Sequence, residues 1–210
     1  MKRKLVLTSA VVLILALLAA GTFAYFTKDA RATNVITTGT IRIQLNDEIK
    51  EPGAEKTPTG WTLSGVMPGQ AVEKAVSVTN TGTSPAWLRV KLEIAVTVGT
   101  AKMPLTFGDE QVLTFTPNMG EDGEGWFYHD GCYYYSKPVA ENDETEQLFQ
   151  SGTLMLNPQL PNDYQGCAVT INVLAQAVQV KNNDTDANGQ TITALTPENV
   201  ASIAGTFPAD

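Results

Sequence analysis

Apolar residues in this chain recur mainly at every second position. In Ile41-Arg42-Ile43-Gln44-Leu45 apolar and polar side chains alternate, as a strand with one buried face requires. Ala75-Val76-Ser77-Val78-Thr79-Asn80 repeats the pattern. Residues 87–98 alternate throughout and place Leu88, Val90, Leu92, Ile94, Val96 and Val98 on one face. Residues 167–180 do the same with Val169, Ile171, Val173, Ala175 and Ala177. Turn formers separate these runs: Met67-Pro68-Gly69-Gln70, and Asn80-Thr81-Gly82-Thr83-Ser84-Pro85. Asp130-Gly131 stands between Trp126-Phe127-Tyr128-His129 and Cys132-Tyr133-Tyr134-Tyr135, a strong hairpin signal because both central residues must accept positive φ. The pattern predicts an all-β fold, an antiparallel β-sandwich of jelly-roll type with short peripheral helices. One helix is expected near 142–149. Another is expected at the end, where Thr196 would cap Pro197-Glu198-Asn199-Val200.

The first residues break this rhythm. Met-Lys-Arg-Lys precedes an apolar run from Leu5 to Ala20 and then Gly21-Thr22-Phe23-Ala24, the order of a secretory signal peptide. The run is also about as long as a membrane anchor requires, which leaves retention as the alternative. Residues 1–24 are therefore assigned as signal peptide, 25–38 as an extended N-terminal segment and 39–210 as one sandwich domain. The formal charge is −8, and removing Lys2, Arg3 and Lys4 with a signal that holds no acid leaves −11. So acidic a surface repels phosphate backbones and anionic lipid, so no nucleic acid partner is expected, and contact with a membrane only before cleavage. Two cysteines, Cys132 and Cys167, are compatible with one disulfide in an exported chain or with two buried thiols.

Several segments resemble the TasA/camelysin family of Gram-positive exported proteins. These are Gly21-Thr22-Phe23-Ala24-Tyr25-Phe26-Thr27, Ala32-Thr33-Asn34-Val35-Ile36-Thr37-Thr38-Gly39-Thr40-Ile41, the Pro68-Gly69-Gln70 turn leading to Val78-Thr79-Asn80-Thr81-Gly82 and Arg89-Val90, and Ala175-Gln176-Ala177-Val178-Gln179. The resemblance implies cleavage by a dedicated ER-type signal peptidase between Ala24 and Tyr25. It also implies a jelly-roll domain of the extracellular or cell-surface biofilm matrix, able to form head-to-tail fibres by donating its N-terminal segment to the next subunit. In residues 25–38, Tyr25, Phe26, Val35 and Ile36 offer the apolar side chains for such a donation. The partners expected are further copies of the chain and other matrix proteins or polysaccharide. The segment has two other possible fates, a flexible leader or the chain's own first strand.

Candidate chemistry is sparse. His129 is the only histidine and no His-Glu-x-x-His occurs, so the metalloprotease label carried by camelysin-like proteins lacks the usual zinc donors, and neither enzyme nor cofactor is expected. Asp184-Thr185-Asp186-Ala187-Asn188-Gly189 imitates the first half of a calcium loop, making Asp184, Asp186 and Asn188 weak ligand candidates. Leu195 stands where the bidentate acid belongs. Glu121, Asp122 and Glu124 among glycines read as a solvated loop. Six hairpin aromatics suggest a monomeric glycan- or surface-binding module as the alternative function, although alternation should send about half of them into the core.

Overall fold

The structure is a computed structural model that describes residues 27–31, 41–120, 124–149, 154–186 and 188–208. The signal and cleavage assignments, Ala24, Tyr25, Phe26, Val35 and Ile36 fall outside these residues. The strands are β1 (Thr27–Arg31), β2 (Ile43–Ile49), β3 (Ala54–Thr57), β4 (Gly60–Val66), β5 (Ala71–Val72), β6 (Lys74–Asn80), β7 (Ala86–Val98) and β8 (Ala101–Met103). They continue with β9 (Thr106–Phe107), β10 (Glu110–Gln111), β11 (Leu113–Thr114), β12 (Trp126–His129), β13 (Cys132–Tyr135), β14 (Leu154–Leu156) and β15 (Cys167–Gln179). Helix is confined, among the described residues, to a 3-10 turn at Asn162–Tyr164 and to α1 (Ala201–Ala204).

Every pairing between the named strands is antiparallel. The larger sheet runs β12-β13-β7-β15-β4-β3, with β8 beside β7 and β1 beside β15. Against it lie the β2-β6 pair and the β11-β14-β5 sheet, and the core between them joins Ile43, Val76, Val78, Leu154 and Leu156 to Leu88, Val90, Val96, Val169, Ile171 and Val173. The all-β sandwich expectation is met. Alternation did this directly: the inward set of β7 and β15 is the one the period-two pattern selects.

The Asn-x-Gly turn after β6 has a mechanical explanation. Asn80 is wholly buried, and its amide donates to Ser84 O and Val139 O, both at 2.8 Å, while its Oδ1 accepts from Gly82 N at 2.9 Å. One side chain thus closes the turn and ties it to a distant loop.

One expectation is corrected. No helix forms at 142–149: Asn142 adopts φ 64°, and Thr145 N and Leu148 N donate to Val78 O and Val76 O at 2.9 and 2.7 Å. The outer edge of β6 offered these backbone partners, and burial of Leu148 and Phe149 followed. Of the two states open to them, Cys132 and Cys167 adopt that of buried thiols with no disulfide between them. Cys132 sits level with Lys91 on one side of β7 and Cys167 level with Val98 on the other. Seven residues of strand separate those levels, roughly 23 Å, far beyond the reach of a disulfide.

The C-terminal turn forms a little later than expected. Val200 N donates to Thr196 O at 3.0 Å, residues 197–200 are turns, and the helix proper is α1. A hydrogen bond from the Thr196 side chain holds the Glu198 carboxyl below its usual range.

Candidate functional site

The edge of β15 is completed in two halves. β4 pairs with its first half, from Cys167↔Val66 to Asn172↔Gly60. β1 pairs with its second half, from Arg31↔Leu174 to Thr27↔Val178. Both run antiparallel to β15, so they lie end to end along one edge. The changeover is tight: a side-chain carbon on Gly60 would stand 2.1 Å from Ile171 O and 2.7 Å from Asn172 Cα. Only glycine admits the close backbone approach that ends β4 there. Without β1, the backbone groups of residues 174–178 on that edge would lack strand partners. In this single chain the segment expected as a donated strand folds back as the protein's own first strand over 27–31.

Behind that edge the larger sheet has a second apolar face, which sequence reading missed. Trp87, Cys132, Tyr134 and Val178 pack under Ile192, Leu195, Val200, Ile203 and Phe207, so residues 188–208 form a lid on the outer face of β7, β13 and β15. Trp87 Nε1 donates to Asn183 O at 3.0 Å. Arg89 clasps the far end of the lid: Nε donates to Gln176 Oε1 at 2.5 Å, Nη2 to Pro208 O at 3.0 Å, and Nη1 to Tyr134 Oη at 3.3 Å. Its guanidinium lies 4.7 Å from the Phe207 ring centre, and Gln176 Nε2 also reaches Pro208 O at 3.2 Å. Burial pushes the Tyr134 phenol up, and the Arg89 charge opposes that rise. The signal was present in Trp87, Leu174 and Val178, apolar residues on the face assigned to solvent.

The hairpin follows its turn chemistry, with φ 44° at Asp130 and 81° at Gly131. Directly opposed pairs share a face, so Trp126, Tyr128, Tyr133 and Tyr135 turn to one side and Phe127, His129, Cys132 and Tyr134 to the other. Of the six aromatics only Tyr128 is widely exposed, at 55%. It borders an open groove of about 240 Å³ lined by Leu92, Ile94, Phe115, Gly131 and Tyr133. Burial pushes the Tyr133 phenol up to about 12.

No set of three or more His, Cys, Asp or Glu side chains stands ready to hold a metal among the described residues. His129 faces Cys132 across the hairpin without a converging carboxylate, and this donor set does not fit a zinc site. Asp186 is engaged in its own turn, its Oδ1 accepting from Asn188 N at 2.9 Å and Gln190 N at 2.8 Å. Asp184 contributes its main-chain oxygen to Ile192 N at 2.6 Å. The Asp186 carboxylate thus forms an Asx-type turn with the backbone of Asn188 and Gln190. Among the described residues no helix is long and apolar enough to cross a membrane.

The fold and its edge define an antiparallel β-sandwich protein whose larger sheet is completed by the chain's own N-terminal segment. Residues 1–130 match the family model described as camelysin metallo-endopeptidase, and the chain belongs to that family, the camelysin/TasA family. No curated protein and no solved structure gives a significant match.

Proposed function

We propose that the protein is a secreted structural component of a Gram-positive extracellular or biofilm matrix and that it assembles head to tail by exchanging its N-terminal segment. The observation that carries this reading is the register of β1 on β15, Thr27↔Val178 through Arg31↔Leu174. An element that closes a sheet within one chain makes the same contacts when supplied by a neighbour, so folding back and exchange are alternative closures of one slot. Exchange is heterologous and does not close on itself, so it propagates as a filament. Five residue pairs, each contributing roughly 1 kcal/mol of net hydrogen bonding, make the slot strong enough to hold a partner and weak enough to open. In this reading cleavage between Ala24 and Tyr25 by the signal peptidase frees the strand, and further copies of the chain, other matrix proteins or polysaccharide are the partners. The protein acts without catalysis or cofactor, despite the peptidase in the family's description.

Electron microscopy of protein lacking residues 1–24 should show filaments, and protein lacking residues 1–38 should show none. Filaments persisting in the shorter protein would exclude the exchange. The groove beside Tyr128 favours a second reading, a monomeric module that stacks a glycan ring on that exposed phenol. Saturable glycan binding lost on Tyr128→Ala would support it.

A further inference from the structure

Inside the sandwich, β2 and β6 each place one charged side chain among apolar ones. β2 turns Ile43, Asp47 and Ile49 inward, and β6 turns Lys74, Val76 and Val78 inward. The register sets Asp47 opposite Val76 and Ile49 opposite Lys74, so Asp47 and Lys74 are diagonal neighbours on one face. Their side chains are 2% and 0% exposed, and Lys74 Nζ contacts Asp47 Oδ1. The other carboxyl oxygen, Oδ2, is buried without a hydrogen-bond partner. Trp61 Nε1 donates to the main-chain oxygen of Asp47 at 2.9 Å and fixes the strand beneath the pair.

An ion pair is a poor occupant of such a place. Both charges lose their water, and the geometry returns one contact where a lysine can donate three bonds and a carboxylate can accept on two oxygens. The dry surroundings favour the uncharged partners: burial pushes the Asp47 carboxyl up and the Lys74 amine down. A neutral amine against a neutral carboxyl is the reactive combination for amide formation. Holding the two groups in contact replaces a bimolecular encounter by an internal one, with effective molarities that reach about 10⁵–10⁸ M in well-oriented cases.

We propose that Lys74 and Asp47 are the site of an intramolecular isopeptide cross-link, an amide joining Nζ of one to Cγ of the other. The Nζ lone pair forms the new bond to Cγ. The C–O bond to the carboxyl hydroxyl breaks, and that hydroxyl leaves as water with a proton taken from Nζ. No oxidant, reductant or cofactor enters the balance. The product keeps one N–H and one carbonyl in the core in place of two charges, and the apolar packing of Ile49 and Val76 shields it from hydrolysis.

The cross-link would fasten β2, the first strand of the sandwich after the N-terminal segment, to its neighbour. Tension entering through residues 27–42 would then cross from β2 to β6 through a covalent bond, bypassing the intervening β3-β4 hairpin. The cross-link would form whether or not the protein assembles into fibres.

Mass spectrometry of the purified, non-reduced protein tests it. The intact mass should fall short of the sequence mass by one water, and trypsin should leave Lys74 uncut, yielding a branched species that joins residues 43–50 to 57–89. Lys74→Arg and Asp47→Ala should restore the full mass, while Asp47→Asn should form the same amide with loss of ammonia. A full intact mass with cleavage after Lys74 would overturn the proposal. So would a missing water without the branched peptide, which marks dehydration at another residue. The peptide map of the unaltered protein decides the matter even if the variants fail to fold.

Discussion

Arg89→Met tests whether the C-terminal lid is held by one side chain. Methionine keeps the apolar stem and removes the guanidinium. Two of the lost hydrogen bonds are short, to Gln176 Oε1 at 2.5 Å and Pro208 O at 3.0 Å, and charge-assisted bonds of this kind contribute about 1.5–3 kcal/mol each. Those to Tyr134 Oη and Ala204 O, at 3.3 and 3.5 Å, are near the limit of useful geometry and add little. The ring contact with Phe207 adds about 0.5–1 kcal/mol. Arg89 is only half-buried, so water recovers part of what is lost, and the expected destabilisation is about 3–4 kcal/mol. Against a typical total of about 5–15 kcal/mol this is a large fraction, readable as a lower urea midpoint followed by tryptophan fluorescence. Amide exchange should accelerate first at residues 200–207. A loss below about 1 kcal/mol, with exchange of the lid unchanged, would refute the assignment of Arg89 as its clasp.

Other consequences follow from the same structure. Gly60→Ala should destabilise the protein by about 3 kcal/mol in the same assay, because the new methyl meets the Ile171 and Asn172 backbone rather than a movable side chain. Unfolded without reductant, the protein should titrate two thiols; in the folded state both should resist alkylation, Cys167 especially, since burial raises its thiol. The folded chain holds the Tyr133 proton to about 12, whereas the unfolded chain releases it near its ordinary value of about 10. The stability this phenol contributes, up to about 2–3 kcal/mol, is therefore fully present below about pH 10 and lost as pH rises towards 12. Tyr133→Phe should flatten the alkaline limb of a stability-against-pH curve, and an unchanged limb would contradict the assignment.

How far the sequence was legible depended on whether local pattern or long-range pairing decided each element. β7 and β15 were readable within a residue or so because alternation sustained over a dozen positions has few competing readings. The β12-β13 hairpin was readable because Asp130-Gly131 fixes its own turn. Residues 142–149 misled because their polarity suits a helix turn, while their hydrogen bonds go to β6, more than sixty positions earlier. The lid was invisible for a related reason. Nothing local shows that Trp87 and Val178, on faces assigned to water, meet Ile203 and Phe207. The Asp47–Lys74 pair was hidden too, since each reads as an ordinary charged position until the register of β2 on β6 brings them together. At the candidate site, the N-terminal segment and the β15 strand were each recognisable, but their pairing at Ala30↔Ala175 is a tertiary fact.

That pairing also supplies the most direct test of strand exchange. In a background with Cys132 and Cys167 replaced by alanine, one preparation carries Ala30→Cys and another Ala175→Cys. Opposed residues on antiparallel strands lie about 4.5–5.5 Å apart between Cα atoms, within disulfide range. If subunits exchange their N-terminal segments, mixing the two under assembly conditions and oxidising should give a disulfide-linked heterodimer through residues 30 and 175. If assembly proceeds and no such heterodimer forms, while the chain carrying both cysteines still closes its own internal bond, the segment stays at home and the account of exchange is wrong.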